Sequence, residues 1–169
     1  MTANLESGAS QSRVAEAHHK AKVIVLLLAA SIVVYTVAGL LLVNARQPRL
    51  ISSDVPVPFY VAALFLALGS IALRRAQMRR LRLEVVAGLR GIGGLINHFL
   101  QVAVVSAALA EVIGVLALAV VFFGGDQAAV IRLGVVALVV ALFAYPRRSA
   151  WQRAVDYYAA TIPGVTETR

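Results

Sequence analysis

The sequence predicts an all-α protein: a four-helix transmembrane bundle with both termini cytoplasmic. Three observations predict it. First, 60% of the 169 residues are hydrophobic and only 14% are charged, with a mean hydropathy of +0.83. Soluble domains are about 45–50% apolar and about 25% charged. Second, the apolar residues are gathered into four long runs. Third, the cations are gathered between alternate runs, as the positive-inside rule requires. A helix needs roughly 20 apolar residues to cross the hydrocarbon layer. Its backbone groups must be satisfied internally there, so each run is expected to be helical.

The first run, "VIVLLLAASIVVYTVAGLLLV" (Val23 to Val43), carries no charge. "VNA" at Val43 to Ala45 has the small residues of a cleavage site. The apolar run exceeds the 7–15 residues of a secretory signal core, so a retained helix is expected over 23–43. The polar stretches "NARQPR" and "SSDVPVP" form the linker to a second helix over 57–74. Pro58 suits its first turn, where a missing N–H costs nothing. A third helix is expected over 96–123 and a fourth over 128–145, joined by a tight turn at "GGDQ". Pro146 is placed to end or kink the fourth. Residues 1–21 read as a disordered cytoplasmic tail, 22–145 as the transmembrane domain, and 146–169 as an interfacial cytoplasmic tail.

The orientation rests on Arg13, Lys20 and Lys22 before the first helix, Arg74 to Arg90 between the second and third, and Arg147, Arg148 and Arg153 after the fourth. Only Arg46, Arg49 and Arg132 fall on the other side. A multi-pass protein of the inner (plasma) membrane follows, with both ends inside. The net charge of +8 is then directed at the bilayer and its anionic headgroups, and no nucleic-acid partner is expected. In "RRAQMRRLRLEVVAGLRGIGG", Arg75, Arg79 and Arg82 share one helical face and Met78, Leu81 and Val85 another. That pattern suits a helix at the inner headgroup layer. "GLRGIGG" lacks the preceding strand of a nucleotide loop and reads as a hinge into the third helix. In "YPRRSAW", Tyr145 and Trp151 are amphipathic rings beside Arg147 and Arg148, the pattern of a membrane-exit anchor.

One carboxylate interrupts the apolar runs: Glu111, near the middle of the third. A charge at the bilayer centre costs about 2.5–3.5 kcal/mol on insertion scales, so the neutral carboxyl is the expected form. Ala103, Ala107, Ala110, Gly114 and Ala117 share its face, and small residues let helices approach closely in membranes. Ranking the other helices by depth makes Tyr35 or Thr36 the expected hydrogen-bond partner, with Ser31 and Ser106 about a turn inward. The candidate ion- or proton-binding set is therefore Glu111 with Tyr35, Thr36 and Ser106. Arg75, Arg79, Arg82, Arg147, Arg148 and Trp151 are the candidate headgroup anchors.

"ALAEVIGVLALAVVFF" resembles the carboxylate-bearing helix of the c subunits, or proteolipids, of rotary ATPases. The resemblance implies that Glu111 is an ion-binding carboxylate. The chain departs from that pattern in carrying the carboxylate on the third helix, and in having only Gly39 where a partner helix would carry closely spaced glycines. The whole chain resembles a family of small uncharacterised bacterial four-helix membrane proteins, on the residues Glu111 and Gly114, then Tyr145, Pro146, Arg147 and Trp151. That likeness implies topology and no activity.

The chain has no cysteine, so thiolate chemistry is excluded. No facing carboxylate pair, Ser–His–Asp set or metal-ligand spacing occurs, and no catalytic residue, cofactor or metal is expected. Two functions stay open. One is a non-catalytic structural or accessory subunit, packing through small-residue helix faces in a homo-oligomer or larger membrane complex. The other is an ion- or proton-handling component built on Glu111.

Overall fold

The computed structural model describes residues 2–45 and 57–161. The expected linker with Arg46 and Arg49, and the last residues from 162 on, lie outside the described residues. The elements are α1 (Thr2–Ala45), α2 (Val57–Gln77), α3 (Arg80–Phe122), α4 (Gln127–Ala144) and α5 (Arg148–Thr161). The first four are long and apolar enough to cross a membrane, so the chain has the architecture of a multi-pass membrane protein.

The helix directions follow from side-chain register. Ile32 of α1 packs where a Cβ on Gly114 of α3 would sit, and Gly39, further along α1, lies against Ala117 and Val121, so α1 and α3 run parallel. Phe59 stacks on Phe123 at one end of α2, and His98 Nε2 lies 3.1 Å from the Gln77 carbonyl at the other, so α2 runs opposite to α3. Gly39 and Thr36 approach Val130 and Gly134 in reverse order, so α4 is antiparallel to α1.

Helix length divides the molecule into two layers. At 1.5 Å per residue, α2 (21 residues) and α4 (18) are roughly 32 and 27 Å long. That is close to the ~30 Å hydrocarbon thickness. By the same rise α1 (44 residues) is about twice as long, and α3 (43), although broken at Gly91, also exceeds one bilayer. Their excess lies at one end, where Val14 and Ala21 of α1, Leu83, Ala87 and Leu95 of α3, and Trp151, Val155 and Tyr158 of α5 form a second apolar core. The first core, within the spans, joins Ile32, Ala110, Ile113, Ala117, Val130, Leu133 and Ala137.

Several expectations are corrected here. Of the expected tail over 1–21, the described residues from Thr2 on are helical, with Val14 and Ala21 buried. The polar composition of this stretch conceals two apolar positions, seven residues apart on one face, that long-range partners cover. The third helix starts a few residues before 96: α3 is broken at Gly91 into a short basic helix from Arg80 and the long apolar helix that follows. The expected hinge is real in one respect: Gly91 breaks the helical path at φ 64°, ψ −171°, a backbone region open essentially to glycine alone. The fourth helix starts one residue early, at Gln127, because the Asp126 side chain caps it by accepting from the Ala129 N–H at 2.8 Å.

The tight turn "GGDQ" has a defined mechanism. The Gly125 N–H donates to Val120 O (2.8 Å) and the Gly124 N–H to Val121 O (3.1 Å), with Gly124 at φ 88°. These are the two hydrogen bonds of a Schellman C-cap, which satisfies carbonyls that would otherwise face lipid or headgroups unpaired.

Gly91→Ala is expected to destabilise the protein by about 1–3 kcal/mol, because alanine must leave that backbone region or carry its strain. Chemical unfolding of the purified protein in micelles checks it. An unchanged midpoint would show that the bend does not depend on glycine.

Candidate functional site: a polar cluster at mid-span

Glu111 lies thirteen residues from His98 and twelve from Phe123, the C-cap of α3, and these two are level with the two ends of α2. That places it roughly 18–20 Å from either level and near the middle of the span. The arc of α3 that packs inward carries Ala103, Ala107, Ala110, Gly114 and Ala117. Glu111 stands at the edge of that arc, half-buried, against α1.

Two hydroxyls of α1 reach it. Ser31 Oγ donates to Glu111 Oε1 at 2.8 Å and Tyr35 OH donates to the same oxygen at 3.4 Å. Ser31 and Tyr35 are four residues apart, hence stacked on one helix face. Ile32, between them in sequence, is wholly buried and fits into the space left by Gly114: a Cβ there would lie 3.0 Å from its Cγ1. The close seam at Gly114 therefore sets the register that brings both hydroxyls to the carboxyl one turn away.

The expected pairing with Tyr35 is present. The pairing with Thr36 is not: Thr36 Oγ1 donates to its own helix at Ile32 O (2.8 Å), and its side chain packs on Gly134 of α4. One residue is about 100° of helix rotation, enough to turn Thr36 from α3 to α4. Ser106 also stays apart from the carboxyl. It is fully buried, its Oγ has no hydrogen-bond partner, and its carbonyl accepts from Ser70 Oγ of α2 at 3.5 Å. The missed member of the cluster is Ser31. Its four-residue offset from Tyr35 was the available signal, because the two share a face whichever way the helix turns.

Of the expected headgroup anchors, Arg75, Arg79, Arg82, Arg147 and Arg148 are exposed. Trp151 is not an outward anchor. It is 5% exposed, with its ring 5.5 Å from Phe99 and 5.8 Å edge-on from His18. Once α5 folds back on the bundle, the indole is covered by α1 and α3. His18, adjacent to His19 in a stretch read as a tail, is likewise held, with Nε2 3.2 Å from Pro146 O. Arg74, absent from the expected sites, tucks under α4 with its guanidinium 4.9 Å above the Phe143 ring. Its signal was spacing: Ala63, Ser70 and Arg74 lie on the inward face of α2.

Ser31→Ala and Tyr35→Phe are each expected to lower stability by about 0.6 kcal/mol, and by no more than roughly 1.7, the range for interhelical hydrogen bonds in membranes. Thr36→Val, which leaves the cluster intact, is the comparison. Unfolding in bilayers or mixed micelles reads all three, and an effect confined to Thr36→Val would place the coupling at the α4 seam instead. No protein-family model matches the chain, and comparison with curated proteins and with solved structures finds no similar protein.

Proposed function

We propose that this chain is a small non-catalytic subunit of the inner (plasma) membrane, with both termini cytoplasmic, that associates with a second copy or a partner helix along the α1–α3 seam at Glu111. The observation that carries this reading is the half-buried Ser31–Tyr35–Glu111 cluster near mid-span. A polar cluster at that depth is costly toward lipid and is normally turned toward protein or a wet cavity. Both donors converge on Oε1, which leaves Oε2 to a proton or to a donor from another chain.

The small residues of the α1–α3–α4 seam are taken up inside the chain. Ala107, Ala110 and Ala117 are wholly buried within the chain, and Gly39, Gly114 and Gly134 are closed over by Val130, Ile32 and Thr36. They hold the bundle together, and the outward polar contact is left as the specific feature of the seam.

A second reading, an ion- or proton-handling component like a rotary ATPase c subunit, draws on proton counting. Ser31 Oγ lies 2.8 Å from both Leu28 O and Glu111 Oε1, yet a hydroxyl has one proton. A protonated carboxyl here would donate to Ser31, which would then donate to Leu28, and an ionised one would accept from Ser31 and Tyr35, so the cluster accommodates either state. A carboxyl that takes and gives one proton is the minimum of a carrier site.

Native mass spectrometry of the detergent-purified protein separates the readings. The subunit reading expects an oligomer or a partner complex that survives Glu111→Gln, which keeps the hydrogen-bonding shape, and is lost in Glu111→Leu. A stable monomer that binds no partner would overturn it. Retained assembly in Glu111→Gln with loss of proton or ion flux into vesicles would establish the second reading.

A further inference from the structure

We infer that the junction between the two layers is a binding site for an anionic phospholipid, with its phosphate held by Arg74 and Arg147. A cavity of about 590 Å³ opens there, lined by those two arginines and by Phe99, Phe143, Tyr145 and Trp151 among others. Its size falls within the 300–1,000 Å³ of small-molecule sites.

Three features point to the ligand class. First, the two cations line one cavity, and neither is ion-paired among the described residues. Like charges around a shared space favour an anion between them. Second, Arg74 Nη1 is buried with no hydrogen-bond partner, and the Gln77 Oε1 one turn further along α2, itself buried and unpaired, does not satisfy it. A guanidinium edge in that state is a donor awaiting an acceptor, and planar guanidinium donors suit phosphate. Third, the remaining wall is aromatic and aliphatic, which suits acyl chains. The cavity sits at the right depth for both halves of such a molecule. Phe99 is twelve α3 residues from Glu111, about 18 Å from mid-span, where a ~30 Å hydrocarbon layer gives way to headgroups. Arg75, Arg79 and Arg148 are exposed and supply the diffuse attraction of any basic surface. Arg74 differs because it is held inside, beneath Phe143.

The test is lipid retention by the full-length protein, measured by native mass spectrometry after titration with phosphatidylglycerol against phosphatidylcholine. The wild type is expected to keep phosphatidylglycerol preferentially. Arg74→Gln and Arg147→Gln are each expected to weaken that retention about tenfold or more, as loss of one charge-assisted pair implies. Arg153→Gln removes the same charge from the same end of the molecule, outside the cavity, and is expected to retain it. Equal loss in all three variants would reduce the effect to net charge and overturn the site. Absence of a headgroup preference in the wild type would overturn it directly. Inorganic phosphate that displaces phosphatidylglycerol at millimolar concentration would overturn the lipid assignment in favour of a soluble phosphate. Arg147 is exposed, so its variant keeps the test decisive if Arg74→Gln fails to fold.

Discussion

The bundle depends on how closely α1 can approach α3 and α4. Lipid tails are as apolar as leucine, so helices in a membrane gain nothing from hiding leucine from water, and association relies on close packing and interhelical hydrogen bonds. Here α1 settles over Gly114 of α3 with Ile32 and over Gly134 of α4 with Thr36, while its own Gly39 admits Val130. Any Cβ at Gly134 would fall 2.5 Å from Thr36 Oγ1. Beside these contacts the same core has small side chains at Ala110, Ala117 and Ala137. Once this register is set, the partners of Glu111 are determined, because Ser31 and Tyr35 flank Ile32 on the α3 side.

The second constraint is the mismatch between helix lengths. Two helices are one bilayer long, α1 is about twice that, and α3 carries an extra segment before its break at Gly91. The surplus of α1 and α3 must leave the hydrocarbon on one side, where it has no lipid to cover its apolar positions. α5 supplies the cover, placing Trp151, Val155 and Tyr158 against Val14, Ala21 and Leu83. The bend at Gly91 lets the first part of α3 lean away from the direction of its span. The cavity at Arg74 lies where this cap meets the ends of α2 and α4, a place that helices of unequal length do not fill by themselves.

The sequence was most legible where the bilayer acts as the only partner. The four spans, their order and the depth of Glu111 follow from hydropathy and from 1.5 Å of rise per residue. Legibility fell where partners are other parts of the chain. Residues 1–21 look polar, and nothing local shows that Val14 and Ala21 meet α3 and α5. Trp151 has the composition of an interfacial anchor, and only the return of α5 buries it against Phe99. Thr36 and Tyr35 are equally deep, but depth does not fix rotation about the helix axis. Rotation was set by Gly134, which offers Thr36 a place against α4. Arg74 was the last residue of the expected second helix and one of its flanking cations, whereas α2 extends to Gln77 and carries it inward.

The position of Glu111 also follows from the packing that holds the bundle. The inward arc of α3 is narrow: Ala107, Ala110 and Ala117 are wholly buried, and Gly114 is occupied by Ile32. A glutamate at any of these positions would force α1 or α4 away and undo the contacts on which the bundle depends. A carboxyl on this helix is compatible with close packing only at the edge of the arc. There one oxygen reaches the hydroxyls of α1 while the group remains half-covered. Interior polarity of the kind that merely fixes a core is represented elsewhere, by Ser70 and Ser106, both fully enclosed between α2 and α3. Glu111 differs from those serines in keeping an open side at mid-span. A group used only to lock this bundle would not need one, and a group that meets another helix or exchanges a proton would.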